Sequence, residues 1–201
     1  MSGQNWVSLL NPSSPQSSGA GAALSTATTA TLSPVTGIPS DPAQVYQEGA
    51  YQGWAPGLLI RYTARGYITT TATTCNVTFL LAANKTNAGS SYVTLATTNA
   101  IATPAAANTG IQWKFEAVSR CTACATSGNT IATQGEISFG ALAAQTILTA
   151  TAQVWVSLPS ASGETAAAVD TTQVQGLSLR GTLSGANATV QLTQWLVEAM
   201  C

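Results

Sequence analysis

A chain of 201 residues and 20.4 kDa is long enough for one domain of ordinary size plus a tail. Hydrophobic residues make up 45% of it, enough for a core, but charged residues make up only 6%, against roughly 25% in an average soluble protein, and the net charge is −1. The six basic residues are scattered, which excludes a phosphate-binding patch and hence nucleic acid as a partner, and no stretch of about 18 residues is apolar throughout, which excludes a membrane-spanning helix.

Thr, Ser, Ala, Asn, Gln and Gly replace the missing charge. Such a surface is wettable but carries little field, so it does not disperse the molecule by repulsion. Two readings follow: a surface covered by neighbours in use, or a secreted Thr- and Asn-rich β-protein. The covered surface is the stronger of the two. The first residues, MSGQNWVSLLNPSSPQ, have neither a basic region nor a sustained apolar run, so they do not read as a signal peptide.

Residues 1–50 differ from the rest. Six of the eight prolines fall at or before Pro56, and from Ser13 to Thr31 Leu24 alone is large and apolar. This stretch lacks the apolar surface to offset its own ordering entropy and is expected to be an extended N-terminal arm. Trp6, Val7, Leu9 and Leu10 cluster at its far end. They either anchor on a neighbouring subunit or fold back on their own domain.

From residue 51 the pattern becomes one of strands separated by turns. Gly57–Ile68 places Leu58, Ile60, Tyr62, Ala64 and Ile68 on one face, with Arg61, Thr63 and Arg65 on the other. Thr74–Ala82 aligns Cys75, Val77, Phe79 and Leu81, and Tyr92–Thr97 is a further strand. Ile111–Cys121 alternates most clearly: Ile111, Trp113, Phe115 and Ala117 oppose Gln112, Lys114, Glu116 and Arg120. That period of two marks a half-buried antiparallel strand. Further strands are predicted at Ile131–Phe139, Gln145–Val156, Val174–Leu183 and Ala188–Met200, with Gly-, Asn- and Ser-rich turns between them. No segment shows a 3.6-residue stripe. About eight strands over about 150 residues fit an all-β, antiparallel two-sheet β-sandwich of the jelly-roll kind, with an immunoglobulin-like sandwich as the alternative.

Groups that do chemistry are sparse. The chain has no His, which removes the commonest acid–base residue and a usual zinc ligand. The seven carboxylates, Asp41, Glu48, Glu116, Glu136, Glu164, Asp170 and Glu198, show no pair poised for glycoside cleavage, and they are too dispersed for calcium. No nucleophile elbow or phosphate-cradling loop occurs. Neither a catalytic residue nor a metal or other cofactor is expected. Cys121 and Cys124 form a single C-x-x-C, while Cys75 and Cys201 stand alone; thiols filling small gaps near a turn explain them more simply than a redox or zinc site. Three glycosylation sequons begin at Asn76, Asn84 and Asn187, and in so Thr- and Asn-rich a chain they arise by chance.

Aromatic residues are the remaining recognition groups. Trp113 reads as core from its neighbours. Trp54, in Tyr51-Gln-Gly-Trp-Ala-Pro-Gly57, is the best candidate for a contact, or else covers one end of the sandwich. Trp6, Leu9, Leu10, Tyr51 and Trp54 therefore form the candidate interface set.

From Trp54 onward the chain resembles virion proteins of tailed bacteriophages, especially those of actinobacterial hosts. The likeness rests on Pro56-Gly57, Arg61, Arg65-Gly66, the Ile68-Thr-Thr-Thr-Ala run and Val77-Thr-Phe79-Leu80. Leu95-Ala-Thr, Asn108-Thr-Gly110, Trp113-Lys-Phe-Glu116 and a closing Val197-Glu198 continue it. Cys121-x-x-Cys124 departs from the pattern, where an Arg-x-x-Gly phrase is usual. The resemblance implies a jelly-roll capsid decoration protein: a homotrimer on the outer capsid surface of the virion, bound to the major capsid protein and stabilising the shell. A tail or fibre protein that binds host glycan through exposed aromatics is the alternative.

Overall fold

The computed structural model describes residues 6–8, 23–26, 29–32, 36–38, 56–84, 92–140, 153–158, 164–171 and 175–200. Among them there are strands and turns but no helix. The long strands are β5 (Leu59–Thr70), β6 (Asn76–Asn84), β9 (Asn108–Cys121), β10 (Ile131–Gly140), β13 (Gln175–Leu183) and β14 (Ala188–Met200). Shorter pieces are β1 (Trp6–Ser8), β2 (Ala23–Leu24), β3 (Thr29–Thr31), β4 (Thr36–Ile38), β7 (Tyr92–Thr97), β8 (Ile101–Ala102), β11 (Gln153–Leu158) and β12 (Thr165–Ala167). The strands expected from alternation are present. Of the short pieces, β7 stands as expected and β11 overlaps an expected strand whose residues 145–152 lie outside the described residues, whereas β1 to β4, β8 and β12 had no pattern strong enough to announce them.

Two antiparallel sheets form a β-sandwich. The larger runs β14-β5-β9-β10, and the smaller runs β13-β6-β7. Strands β5 and β14 pair in the large sheet, and their continuations β6 and β13 pair in the small one. A two-stranded ribbon thus bends from one sheet into the other, the basic move of a jelly roll.

Alternation sets the core. Ile60, Tyr62, Ala64 and Ile68 of β5 point inward with Ile111, Trp113, Phe115 and Ala117 of β9. They meet Val77, Phe79 and Leu81 of β6 and Leu177 and Leu179 of β13. Phe79 joins the sheets: its ring lies 5.2 Å from Trp113 and 6.3 Å from Phe139. A register shift falls between β6 and β7 in the small sheet, and two bulges adjust the large one. One, between Leu192 and Gln194, shifts the inward set of β14 from Ala188, Val190 and Leu192 to Trp195, Val197 and Ala199. The other inserts a residue in β9 opposite Ile68–Thr70, where Gly110 adopts φ +77°.

Each sheet edge is built from two short collinear pieces. Strands β1 and β2 lie along β14, and β11 and β12 along β10. In the small sheet β3 and β4 lie along β13, and β7 and β8 along β6. The sequence reading set a boundary at residue 51 and let an arm extend beyond the domain. In the structure, strands from both sides of that boundary share both sheets, and Leu24 and Leu32 are buried in the common core. The physical reason is the backbone: the edges of β13 and β14 offer unpaired N–H and C=O groups that an apolar-poor segment satisfies without much side-chain burial.

Candidate functional site

The inward residues of the large sheet are consumed by the core, so its outer face is the surface it presents. Antiparallel register arranges that face in rows. Arg65 stands opposite Lys114, which stands opposite Ser138. One row on, Thr63 faces Glu116, Glu116 faces Glu136, and Glu136 faces Ser157. Beyond these, Arg61 faces Glu198 on β14 and Val118 on β9. Seven of the chain's thirteen charged residues, Arg61, Arg65, Lys114, Glu116, Arg120, Glu136 and Glu198, stand on strands of this sheet and share this face.

The face is balanced rather than strongly signed. Arg61 donates to Glu198 Oε2 from Nε at 2.8 Å and from Nη2 at 2.6 Å. Lys114 Nζ lies 2.8 Å from Glu116 Oε2. Like charges nevertheless oppose each other twice in the register, Arg65 with Lys114 and Glu116 with Glu136, an arrangement that disfavours the isolated sheet. Among the described residues no carboxylate pairs with Arg65.

Two concavities interrupt the face. A groove of about 760 Å³ is bordered by Arg65, Tyr67, Gln112, Lys114 and Gln194. Gly66, Gly110 and Gly140 also line it, and the Tyr67 hydroxyl is held by Gln191 Oε1. A shallower hollow of about 390 Å³ lies beside Glu116 and Glu136. The pairing of these two carboxylates could not be seen in the sequence, because it depends on the β9–β10 register. Among the described residues no group of three His, Cys, Asp or Glu side chains comes together to hold a metal.

At one end of the sandwich, Cys121 closes β9 and Cys124 follows in the loop to β10. Cys121 is buried and Cys124 exposed. Burial, and then the adjacent Cys124 thiol, push the Cys121 thiol up from 9.0 to about 11.

Of the candidate interface residues, Trp6 falls in β1, where its backbone lies opposite Met200. Leu9, Leu10, Tyr51 and Trp54 lie outside the described residues. Trp113 and Tyr62 are core, and Trp195 packs partly against it. Among the described residues the exposed large hydrophobic side chain is Tyr92, 36% accessible, stacked 4.0 Å below the Arg180 guanidinium.

No protein-family model matches the chain, and no curated protein matches it. Among solved structures, the lectin I of Ulex europaeus, in complex with the methyl glycoside of α-L-fucose, is similar at 11% identity, with 71% of each chain covered and a TM-score of 0.35. A likeness that weak carries no argument about a ligand or an activity.

Proposed function

We propose that the chain is a non-enzymatic virion structural protein: a decoration protein that binds the outer surface of the major capsid protein as a homotrimer and stabilises the shell. The observation that supports this most is the outer face of the large sheet. It is broad, polar and balanced in charge, and its opposed like charges are relieved when a partner supplies counter-charges. Clamping subunits under pressure requires area and many weak contacts but no reacting group, which suits a histidine-free chain. The resemblance to phage virion proteins supplies the partner.

Native mass spectrometry is expected to give a trimer. Arg65→Glu with Lys114→Glu is expected to abolish attachment to heads of the parent particle while circular dichroism stays that of the parent protein. A stable monomer with no affinity for the heads sinks the proposal.

A tail or fibre role in host-glycan binding has one observation in its favour, the groove beside Tyr67. It predicts saccharide binding on a glycan array, lost on Tyr67→Ala. A silent array removes it.

A further inference from the structure

The end loop between β9 and β10 is more tightly held than its Ser-, Gly- and Asn-rich sequence suggests. The last residue of β9, Cys121, donates its backbone N–H to Leu58 O at 2.9 Å, and its carbonyl accepts from Gly57 N–H at 2.8 Å. Thr122 is tied across the loop: its N–H donates to Thr130 O at 2.8 Å and its hydroxyl to Asn129 O at 2.6 Å. On the other side of Cys124, Ala125 N–H donates to Thr171 Oγ1 at 3.0 Å, and Thr171 N–H donates back to Ala125 O at 3.1 Å. The Thr171 hydroxyl also reaches Ala123 O at 3.1 Å. Both chain directions out of Cys124 are therefore pinned.

Within this frame the Cys121 side chain turns back on its own loop. Its Sγ donates to Ala123 O at 3.5 Å, and the Cys124 thiol lies close enough to act on it. One sulfur is shielded by the core and its neighbour faces solvent. That asymmetry is what a two-step exchange needs: an accessible thiol to meet an outside reagent and a protected one, already adjacent, to complete the bond. Cys75 sits elsewhere, hydrogen-bonded with Thr103 near the start of β6.

We infer that Cys121 and Cys124 form a dithiol site that closes reversibly to a disulfide by exchange with a small-molecule disulfide, Cys124 making the first bond and Cys121 resolving it. In the first step the Cys124 thiolate attacks one sulfur of the external disulfide, forming a mixed disulfide and releasing one small thiolate. In the second the Cys121 thiolate attacks Cys124 Sγ, forming the Cys121–Cys124 bond and expelling the second small thiolate. Two protein thiols are oxidised, one external disulfide is reduced, and the two protons leave on the released thiols. Because burial disfavours the Cys121 thiolate, the second step is the slower one near neutral pH and quickens as pH rises. The closed loop is too short to constrain the unfolded chain much, so the signature is chemical rather than a large gain in stability. This inference stands apart from the capsid proposal and survives its failure.

The test uses the full chain carrying Cys201→Ser, treated with oxidised glutathione, alkylated and digested with trypsin. No Lys or Arg lies between Arg120 and Arg180, so both thiols fall on one peptide, residues 121–180, separate from Cys75. The expected product is that peptide unalkylated and two hydrogens lighter, formed faster as pH is raised from about 7 toward 10. Cys121→Ser is expected to stop at the Cys124–glutathione adduct. Cys124→Ser, an exposed change that spares the core, is expected to give neither adduct nor disulfide. Phenylarsine oxide, which bridges two adjacent thiols with loss of water, is expected to add once to the parent and not at all to Cys124→Ser. The inference is overturned if the parent peptide takes two alkyl groups after oxidation, or if the Cys124–glutathione adduct persists unresolved across that pH range.

Discussion

At the scale of residues, the abundance of threonine has a structural use. Where the strand ladders stop, threonine hydroxyls take up backbone N–H groups: Thr70 accepts from Asn108, Thr98 from Phe79, Thr103 from Cys75, Thr130 from Val169 and Thr171 from Ala125. These sites are buried, so water cannot substitute freely. Thr130→Val keeps the shape but orphans the Val169 N–H, and a loss of about 1–3 kcal/mol is expected in urea denaturation. Gly66 illustrates a different constraint. A Cβ there would stand 1.9 Å from Gln191 O and 2.5 Å from Trp113 Cζ2, so the indole and the neighbouring strand occupy its place. Gly66→Ala is expected to cost more than about 3 kcal/mol or to prevent folding, read as loss of the cooperative transition. The raised Cys121 thiol gives a pH dependence. Below pH 9 the thiol is protonated in both states. Between 9 and 11 the unfolded chain ionises first, so stability falls as pH rises through the folded value. The midpoint of Cys121→Ala is expected to lack this part of the decline, a difference of about 2 kcal/mol by pH 11.

At the scale of elements, the edges decide the behaviour of the N-terminal segment. Breaking every edge into short pieces limits the length of free ladder that another chain can pair with. Covering β13 and β14 with β1 to β4 falls to the chain itself, not to a neighbouring subunit. An arm that merely extended outward could be removed without harm to the domain. Here, deleting residues 1–40 strips two edges and takes away Leu24 and Leu32, each worth about 1.5–3 kcal/mol of burial. A truncated chain is expected to unfold at lower denaturant and to associate with concentration in light scattering. An unchanged midpoint would show that these strands do not belong to the sandwich. The edge role was hidden in the sequence because β1 to β4 are only two or three residues long and pair through backbone, which side-chain alternation cannot report.

At the scale of the whole molecule, stability comes from packing rather than charge. The ion pairs among the described residues, Arg61–Glu198, Lys114–Glu116 and Arg120–Glu164, are all partly exposed. Such pairs contribute about 0–1 kcal/mol each and are screened by salt. Glu198→Gln, which removes the partner of the least exposed pair, is expected to shift the unfolding free energy by no more than about 1 kcal/mol, and raising salt should shrink even that. Phe79, fully buried between Trp113 and Phe139, is where the two sheets depend on each other instead.

Alternation alone determined the all-β class, the positions of the long strands and their inward faces, because burying one side of a strand forces a period of two that no other structure shares. Trp113, Phe79 and Tyr62 were legible as core, or as members of a core face, for that reason. Only the tertiary structure decided which strands lie side by side. Hence it alone set Arg65 against Lys114 and Glu116 against Glu136, laid β1 to β4 along both sheets, and brought Cys121 beside Cys124. Register and edge pairing are contacts between backbones far apart in the chain, and their partners leave little mark on local side-chain order.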